Sequence, residues 1–297
     1  MPRVSICIPT YNRKDYIVET LKSVFAQTYK DYEVIIVDDG SIDGTEEMIK
    51  KAAYPNLRYC WQENAGEAAA RNKLVSMAQG EFITFIDSDD LLMPDAVERM
   101  AKVMIDEGGD VVVYGPYLRI DSDGNVIGRC RRKLYSGFIT SQLFNDIIVH
   151  PNGSMFPKRI LQQAGGFDES LKVCTDYDLE LRLSLKYRFI ALDEPTFKHR
   201  RHCGNVSKDS LENRITEFNV LKKFYYDSGG DKVIPPAVAM KRLAKEAYRT
   251  SKLALRDKMY DLALFYLEES IKMKLDLKPL FLLIWIKTAK HACCHTG

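Results

Sequence analysis

Hydrophobic positions in the first hundred residues follow two alternating patterns. Runs 4–8, 32–37, 57–61, 82–86 and 111–114 are apolar or β-branched at most positions, as strands buried on both faces of a sheet should be. Between them apolar residues recur three and four apart, as at Ile17, Leu21, Val24 and Phe25, and predict helices over 15–26, 45–53, 67–77 and 95–107. Pro9 is expected to end the first strand. Strands alternating with helices of about ten to fifteen residues mean βαβ units with right-handed crossovers, hence an α/β fold with a mostly parallel sheet flanked by helices.

The pattern becomes less regular downstream. Asp121-Ser-Asp-Gly-Asn125 reads as a turn between two strands, residues 129–133 as a basic exposed segment, and 158–164 as a short helix. Gly165-Gly-Phe-Asp-Glu169 is a loop, Thr175 a candidate cap for a helix over 176–186, and 189–192 and 196–200 short strands. From Ser210 the periodicity is helical throughout, over 211–227, 236–255, 260–274 and 280–289, with Gly229-Gly230 and Pro235-Pro236 as a hinge. The expected division is a domain over 1–207, with halves at about 1–100 and 101–207, followed by a C-terminal helical extension over 208–297.

Composition narrows the class. The chain of 297 residues is 46% hydrophobic and carries a net charge of +2, enough for a full core and no reason to expect nucleic acid as a partner. Seven scattered cysteines without CxxC spacing suit a reducing, cytoplasmic compartment, and with the first strand starting almost at Met1 no leader is expected before it. The apolar run 280–286 is too short to span a bilayer, which takes about 20 residues. It is apolar around the helix, with Lys272, Lys274, Lys278, Lys287 and Lys290 nearby against Asp276 alone. Packing against the rest of the protein or a second subunit accounts for this, and so does peripheral contact at the inner membrane face.

The candidate chemistry lies at strand ends, where open α/β sheets bind ligands. The run 82–86 leads straight into Asp87, Asp89 and Asp90. Carboxylates gathered there repel one another unless neutralised, and magnesium or manganese on one or two carboxylates commonly carries a substrate phosphate as well. A solvated acidic turn or a helix cap explains the same residues equally well. Neither GxGxxG nor GxxxxGK[ST] is present, so no glycine-rich loop cradles phosphates.

Four stretches in order make the pattern specific: Val4-Ser-Ile-Cys-Ile-Pro-Thr-Tyr-Asn-Arg13, Val34-Ile-Ile-Val-Asp-Asp-Gly-Ser-Ile-Asp-Gly-Thr45, Asn64-Ala-Gly-Glu-Ala-Ala-Ala-Arg-Asn72 and Phe85-Ile-Asp-Ser-Asp-Asp90. Over residues 3–207 the chain resembles a family-2 inverting glycosyltransferase with the GT-A fold. Gly165-Gly-Phe-Asp-Glu169 followed by Thr175-Asp-Tyr-Asp-Leu-Glu-Leu-Arg182 resembles the acceptor-side acidic motif, and His199-Arg-Arg-His202 to Ser207 the family's Tyr-Arg-x-His segment.

The resemblance implies a nucleotide site of Pro9, Thr10, Tyr11, Asp39, Asn64, Arg71, Asp87 and Ser88. Within it Tyr11 would stack on a pyrimidine, Asp39 accept the N3–H of uracil, Arg71 lie near the base and Asp87 on the ribose side. Asp89, with His202, would hold manganese or magnesium; Asp176 would be the catalytic base, with Asp178 in reserve. The implied activity is transfer of a sugar from a nucleotide diphosphate sugar, UDP being the expected carrier, to a glycan or lipid-linked acceptor in surface polysaccharide synthesis. Thr175 stands where the family often has Glu, and His199 where it has Tyr. A sugar nucleotidyltransferase would want a basic, Gly-rich phosphate loop that residues 9–13 do not supply. A non-catalytic module that binds nucleotide sugars or partners would bind without turnover.

Overall fold

The computed structural model describes residues 2–202 and 210–294, with side chains described as far as Ile286. The chain divides into two compact units, Met1–Asn205 and Val206–Gly297.

In the first unit a sheet of seven strands runs in the order β10-β6-β9-β4-β1-β2-β3. Its strands are β1 (Val4–Thr10), β2 (Tyr32–Asp38), β3 (Leu57–Trp61), β4 (Phe82–Phe85), β6 (Val111–Tyr114), β9 (Met155–Pro157) and β10 (Arg188–Ala191). The apolar runs became strands because the helices α1 (Ile17–Phe25), α2 (Thr45–Ala52), α3 (Glu67–Met77) and α4 (Ala96–Asp106) give them something to be buried against, and every residue of β1 is buried. Pro9 does not end β1. Past Cys7 the strand has no partner on the β4 side, so the missing N–H falls where β1 pairs with β2 alone, and β1 runs on to Thr10.

The chain leaves β1 for β2 and β3 on one side and returns to β4 on the other. The carboxyl ends of β1 and β4 therefore flank a topological switch point, where such sheets form their crevice. β9 is antiparallel to both β4 and β6, the exception in an otherwise parallel sheet. A second sheet of four strands, in the order β5-β11-β7-β8, joins β5 (Leu91–Leu92), β7 (Tyr117–Ile120), β8 (Val126–Arg129) and β11 (Phe197–Arg200). The helices α5 (Thr140–Asn145), α6 (Lys158–Gln163) and α7 (Thr175–Ser184) complete the unit. Thr175 is the first helical residue and buried; the cap position belongs to Cys174, at φ 60°, and no side chain caps the helix. Thr175 thus faces the interior and is not available to the helix end.

The second unit contains α8 (Leu211–Tyr226), α9 (Pro236–Arg256), α10 (Tyr260–Met273) and α11 (Leu277–Cys294). Ser210 accepts from the Asn213 amide as the cap of α8. Between α8 and α9, Arg242 donates to Glu217 at 2.7 Å and to Glu246 at 2.6 Å, all three buried. Among the described residues no helix is long and apolar enough to cross a membrane.

Candidate active site

Beyond β4 the chain turns sharply, with the Asp90 amide bonded to the Asp87 carbonyl at 3.0 Å. This turn gathers Asp87, Asp89 and Asp90 so that their carboxylate oxygens lie within 4.8 Å of one another. Each acid has its own partners. Asp87 accepts from Arg71 at 3.0 Å and from Asn152 Nδ2 at 2.7 Å. Asp89 accepts from Arg13 Nε at 3.0 Å and meets His202 Nε2 at 2.9 Å. Asp90 is wholly buried, takes the Arg200 amide at 2.8 Å and Asn152 Nδ2 at 2.8 Å, and meets His199 Nδ1 at 3.2 Å. Burial pushes the Asp90 carboxyl up to about 6, with the Asp89 and Asp87 charges adding to the rise against the opposing pull of His199. Three hard oxygen ligands crowded together suit a magnesium- or manganese-sized cation.

Arg200 supports this turn from beneath. Its fully buried guanidinium donates to the Asp89 carbonyl at 2.9 Å, to the Ser122 carbonyl at 2.7 Å and to Glu19 at 2.6 Å, and lies 5.0 Å from the Tyr16 ring centroid. Tyr16 in turn stacks on His202 at 4.8 Å. The strand β11 is therefore tied to α1, to the acidic turn and to the hairpin of the small sheet through one side chain.

At the end of β2, Asp39 is buried and its carboxylate accepts from Gln62 Nε2 at 2.7 Å and from the amides of Ala65 and Gly66 at 2.9 and 2.8 Å. A carboxylate offers about four acceptor positions, so one remains. Asn64 Nδ2 holds the Asp39 carbonyl at 2.9 Å. Gly40, at φ 88°, lies so close to Asn64 that a Cβ would stand 2.9 Å from its amide nitrogen, so only glycine fits. Asp38 is structural: it accepts from the Ser41 amide and the Tyr59 hydroxyl. Pro9 and Thr10 are buried at the end of β1, whereas the Tyr11 side chain stands out 47% exposed. Ser88 is buried within the acidic turn.

The helix α3 ties both halves of the unit together. Arg71, buried, pairs with Glu67 at 2.6 Å and with Asp87, and its guanidinium carbon lies 5.5 Å from the Phe167 ring centroid. Burial works against the Arg71 charge, but Glu67, Asp87 and Asp176 outweigh it and hold the group firmly protonated. Asn72 donates to the Phe167 carbonyl and to Glu169 and accepts from the Phe167 amide. Gly165-Gly-Phe-Asp-Glu169 is thus a docking loop pinned to α3. At Gly166 a Cβ would come within 2.5 Å of Asn72 Oδ1.

The two acids of α7 differ in their surroundings. Asp178 forms an ion pair with Arg182, 2.9 Å from Nε and 2.7 Å from Nη2, and the same guanidinium donates to the Gly166 carbonyl at 2.8 Å. Asp176, half-buried in the first turn, accepts from the amide of Tyr177 at 2.8 Å and has no cationic side chain bonded to it among the described residues. One turn on, Glu180 is buried with neither carboxylate oxygen hydrogen-bonded. Burial, reinforced by Asp176, raises its carboxyl well above the usual range, so it is held neutral.

Comparison with known proteins agrees with this arrangement. The model of glycosyl transferase family 2 matches residues 5–165. The chain belongs to glycosyl transferase family 2. It is 35% identical over 214 residues to a chondroitin synthase of Pasteurella multocida, covering 71% of this chain and 22% of that one. The chain thus spans about a fifth of that relative's length. Among solved structures, TarS of S. aureus in complex with UDP-GlcNAc superposes with a TM-score of 0.63 at 20% identity, over 93% of this chain and 89% of that one. The mannosyltransferase PcManGT of Pyrobaculum calidifontis, in complex with GDP-Man and Mn2+, gives 0.58 at 21%, over 98% and 81%. At such identities the likeness is one of fold, and the fold is GT-A.

Of the residues named from sequence, Asp87, Asp89, Arg71 and His202 are linked directly or through shared partners, and Asp39 and Asn64 are joined at the neighbouring strand end; no hydrogen bond among the described residues joins the two groups to each other or to Asp176. The stretch from Cys203 to Ser207 lies outside the described residues. Sequence reasoning gave no role to Arg13, Asp90, Asn152, His199 or Arg200 as supports of the acidic turn. Arg13 and Asp90 stood inside the quoted motifs; nothing around Asn152 marks it apart from Gly153 beside it.

Proposed function

We propose that the chain is a metal-dependent, inverting glycosyltransferase that transfers a sugar from a UDP-sugar to a hydroxyl of a glycan or lipid-linked acceptor, in surface polysaccharide synthesis at the cytoplasmic side. The observation that carries this reading is the contrast on α7: Asp178 is consumed by Arg182, whereas Asp176, within electrostatic reach of Arg71, has no cationic side chain bonded to it among the described residues. The likeness to the P. multocida chondroitin synthase and to TarS in complex with UDP-GlcNAc supports the donor class.

The roles follow from chemistry. The Tyr11 ring stacks on uracil, the remaining acceptor position of Asp39 takes its N3–H, and Arg71 holds Asp87 on the ribose side, with Pro9, Thr10, Asn64 and Ser88 shaping the backbone. Asp89 and His202 would hold manganese or magnesium, which when bound neutralises charge on the diphosphate. The acceptor oxygen attacks the anomeric carbon from the face opposite the diphosphate. The new C–O bond forms as the C–O bond to phosphate breaks, UDP leaves with that electron pair, and the acceptor proton passes to Asp176. Donor binding is assigned to residues 1–100 and acceptor binding to 101–207.

The test is turnover of a UDP-sugar panel with manganese. Asp89→Asn and excess chelator should each abolish activity; an active Asn variant, or full turnover in chelator, refutes metal dependence.

A further inference from the structure

The exposed charges of this unit are unevenly placed. Basic residues cluster over 129–133, at the end of β8 and just after it. Arg129, Arg131, Arg132 and Lys133 are all exposed, and so is Arg119 on β7. None of these five pairs with a carboxylate among the described residues. Arg129 donates to the Asp193 carbonyl, Arg132 to the Ile147 carbonyl, and Lys133 lies over the Tyr135 ring. The nearest acid of the hairpin, Asp121, spends its carboxylate on the amides of Asp123 and Asn125. Asp123 is exposed at the hairpin tip, Asp193 and Glu194 in the turn before β11, and Asp146 just after α5.

The register of the small sheet fixes where this charge points. His199, which bonds Asp90, stands opposite Arg119 in the β11–β7 pairing, so both side chains lie on one face about 5 Å apart at the backbone. Phe197 and Tyr117, two residues back in each strand, meet on that face with ring centroids 5.2 Å apart. Tyr117 also contacts His150, at 5.1 Å. Arg132 reaches over the same segment through Ile147, and His150 feels the charges of both Arg132 and Asp176. Arg119, opposite His199, and Arg132, bonded to the segment that carries His150, therefore lie toward the acidic turn and Asp176. Exposed charges without counter-ions repel one another, and a planar guanidinium matches carboxylate and phosphate oxygens two at a time.

We infer that the acceptor is an acidic saccharide, bearing a carboxylate or a phosphate, and that Arg119 and Arg132 recognise its anionic group. This rests on the transferase reading above and names the acceptor class for it.

The experiment measures binding of oligosaccharides to the full chain saturated with UDP and manganese. Each oligosaccharide is supplied with a uronate, as its carboxyl-reduced neutral counterpart, and phosphorylated. The acidic forms should bind about tenfold or more tighter than the neutral ones, by a margin that shrinks as salt rises from about 0.05 to 0.5 M. The uronate and phosphate arms tell which anion is read. Arg119→Glu and Arg132→Glu should each lower acidic-form affinity by about tenfold, with Arg119→Lys losing less because it keeps the charge without the two-point contact, and UDP affinity equal in all. The Arg119 side chain makes no hydrogen bond among the described residues, so its variants test the inference even if Arg132→Glu unfolds. A panel in which no acidic form binds better than its neutral partner overturns the inference, as do Glu variants that bind acidic forms like the wild type. A wild type that binds no UDP overturns the transferase reading and this inference with it.

Discussion

Two acids two residues apart have opposite fates at this site. Asp178 secures a guanidinium that in turn holds the Gly166 carbonyl, so Asp178→Asn should cost about 1–3 kcal/mol of stability, read as a lowered Tm, while UDP binding persists. Asp176→Asn should leave Tm and UDP affinity near those of the wild type and lower kcat about 10²-fold or more. Loss of UDP affinity with kcat kept would move Asp176 to the nucleotide site. His150 adds a pH signature. Burial holds its imidazole down to about 4 from 6.5, with Asp176 opposing, so the folded protein binds fewer protons than the unfolded chain between those values. Its contribution to stability is therefore constant above about 6.5 and lost as pH falls towards 4, by as much as about 3 kcal/mol. Replacing His150 with Gln should flatten the fall in Tm between pH 6.5 and 4 relative to the wild type; equal slopes would show that the imidazole is not held neutral.

Among the elements, the join between the two sheets is tightly packed. Gly153 precedes β9 at φ 63°, its amide bonded to the Phe85 carbonyl at 3.0 Å. A Cβ there would stand 2.6 Å from Phe197 and 2.7 Å from Thr196 Oγ1, at the start of β11. The conformation itself disfavours any other residue, and neither neighbour can retreat from a buried sheet. Gly153→Ala should destabilise by about 2 kcal/mol or more, measured by urea unfolding. Because Asn152 beside it bridges Asp87 and Asp90, the same variant should also weaken metal-dependent UDP binding. A variant as stable as the wild type would mean that this join has room to yield.

At the scale of the whole chain, the proposed catalytic residues belong to the first unit and the helical second unit has a separate question attached. On α11, Leu277 and Phe281 are exposed one turn apart and Ile286 is buried, so the helix has an outward apolar face as well as an inward one. Lys272, Lys274 and Lys278 are exposed nearby. An apolar face with adjacent lysines fits contact with anionic lipid. Sedimentation with anionic vesicles should show binding that weakens with salt and vanishes on deletion of residues 276–297. Vesicle binding that survives the deletion, or aggregation of the shortened protein, would assign the helix to packing or self-association instead.

Sequence alone determined the local elements and the positions of the chemistry. Period and composition are local properties, so the runs of β1, β2, β3, β4 and β6, the amphipathic helices, and the acids after β2 and β4 could be placed from neighbours along the chain. Tertiary structure decided everything that depends on residues distant in the chain. Pro9 ends no strand because β4 is already too short to pair there, a fact of the partner and not of the proline. The antiparallel β9 is three residues long, too short to show a period, and β5 is shorter still. Asn152, Arg200 and His199 support the acidic turn from 62 to 111 residues away, through hydrogen bonds whose existence depends on how the two sheets meet. Which of two neighbouring aspartates is taken up in an ion pair was likewise decided by a single arginine one turn along α7, because an ion pair removes a carboxylate from chemistry only when folding brings its partner within reach.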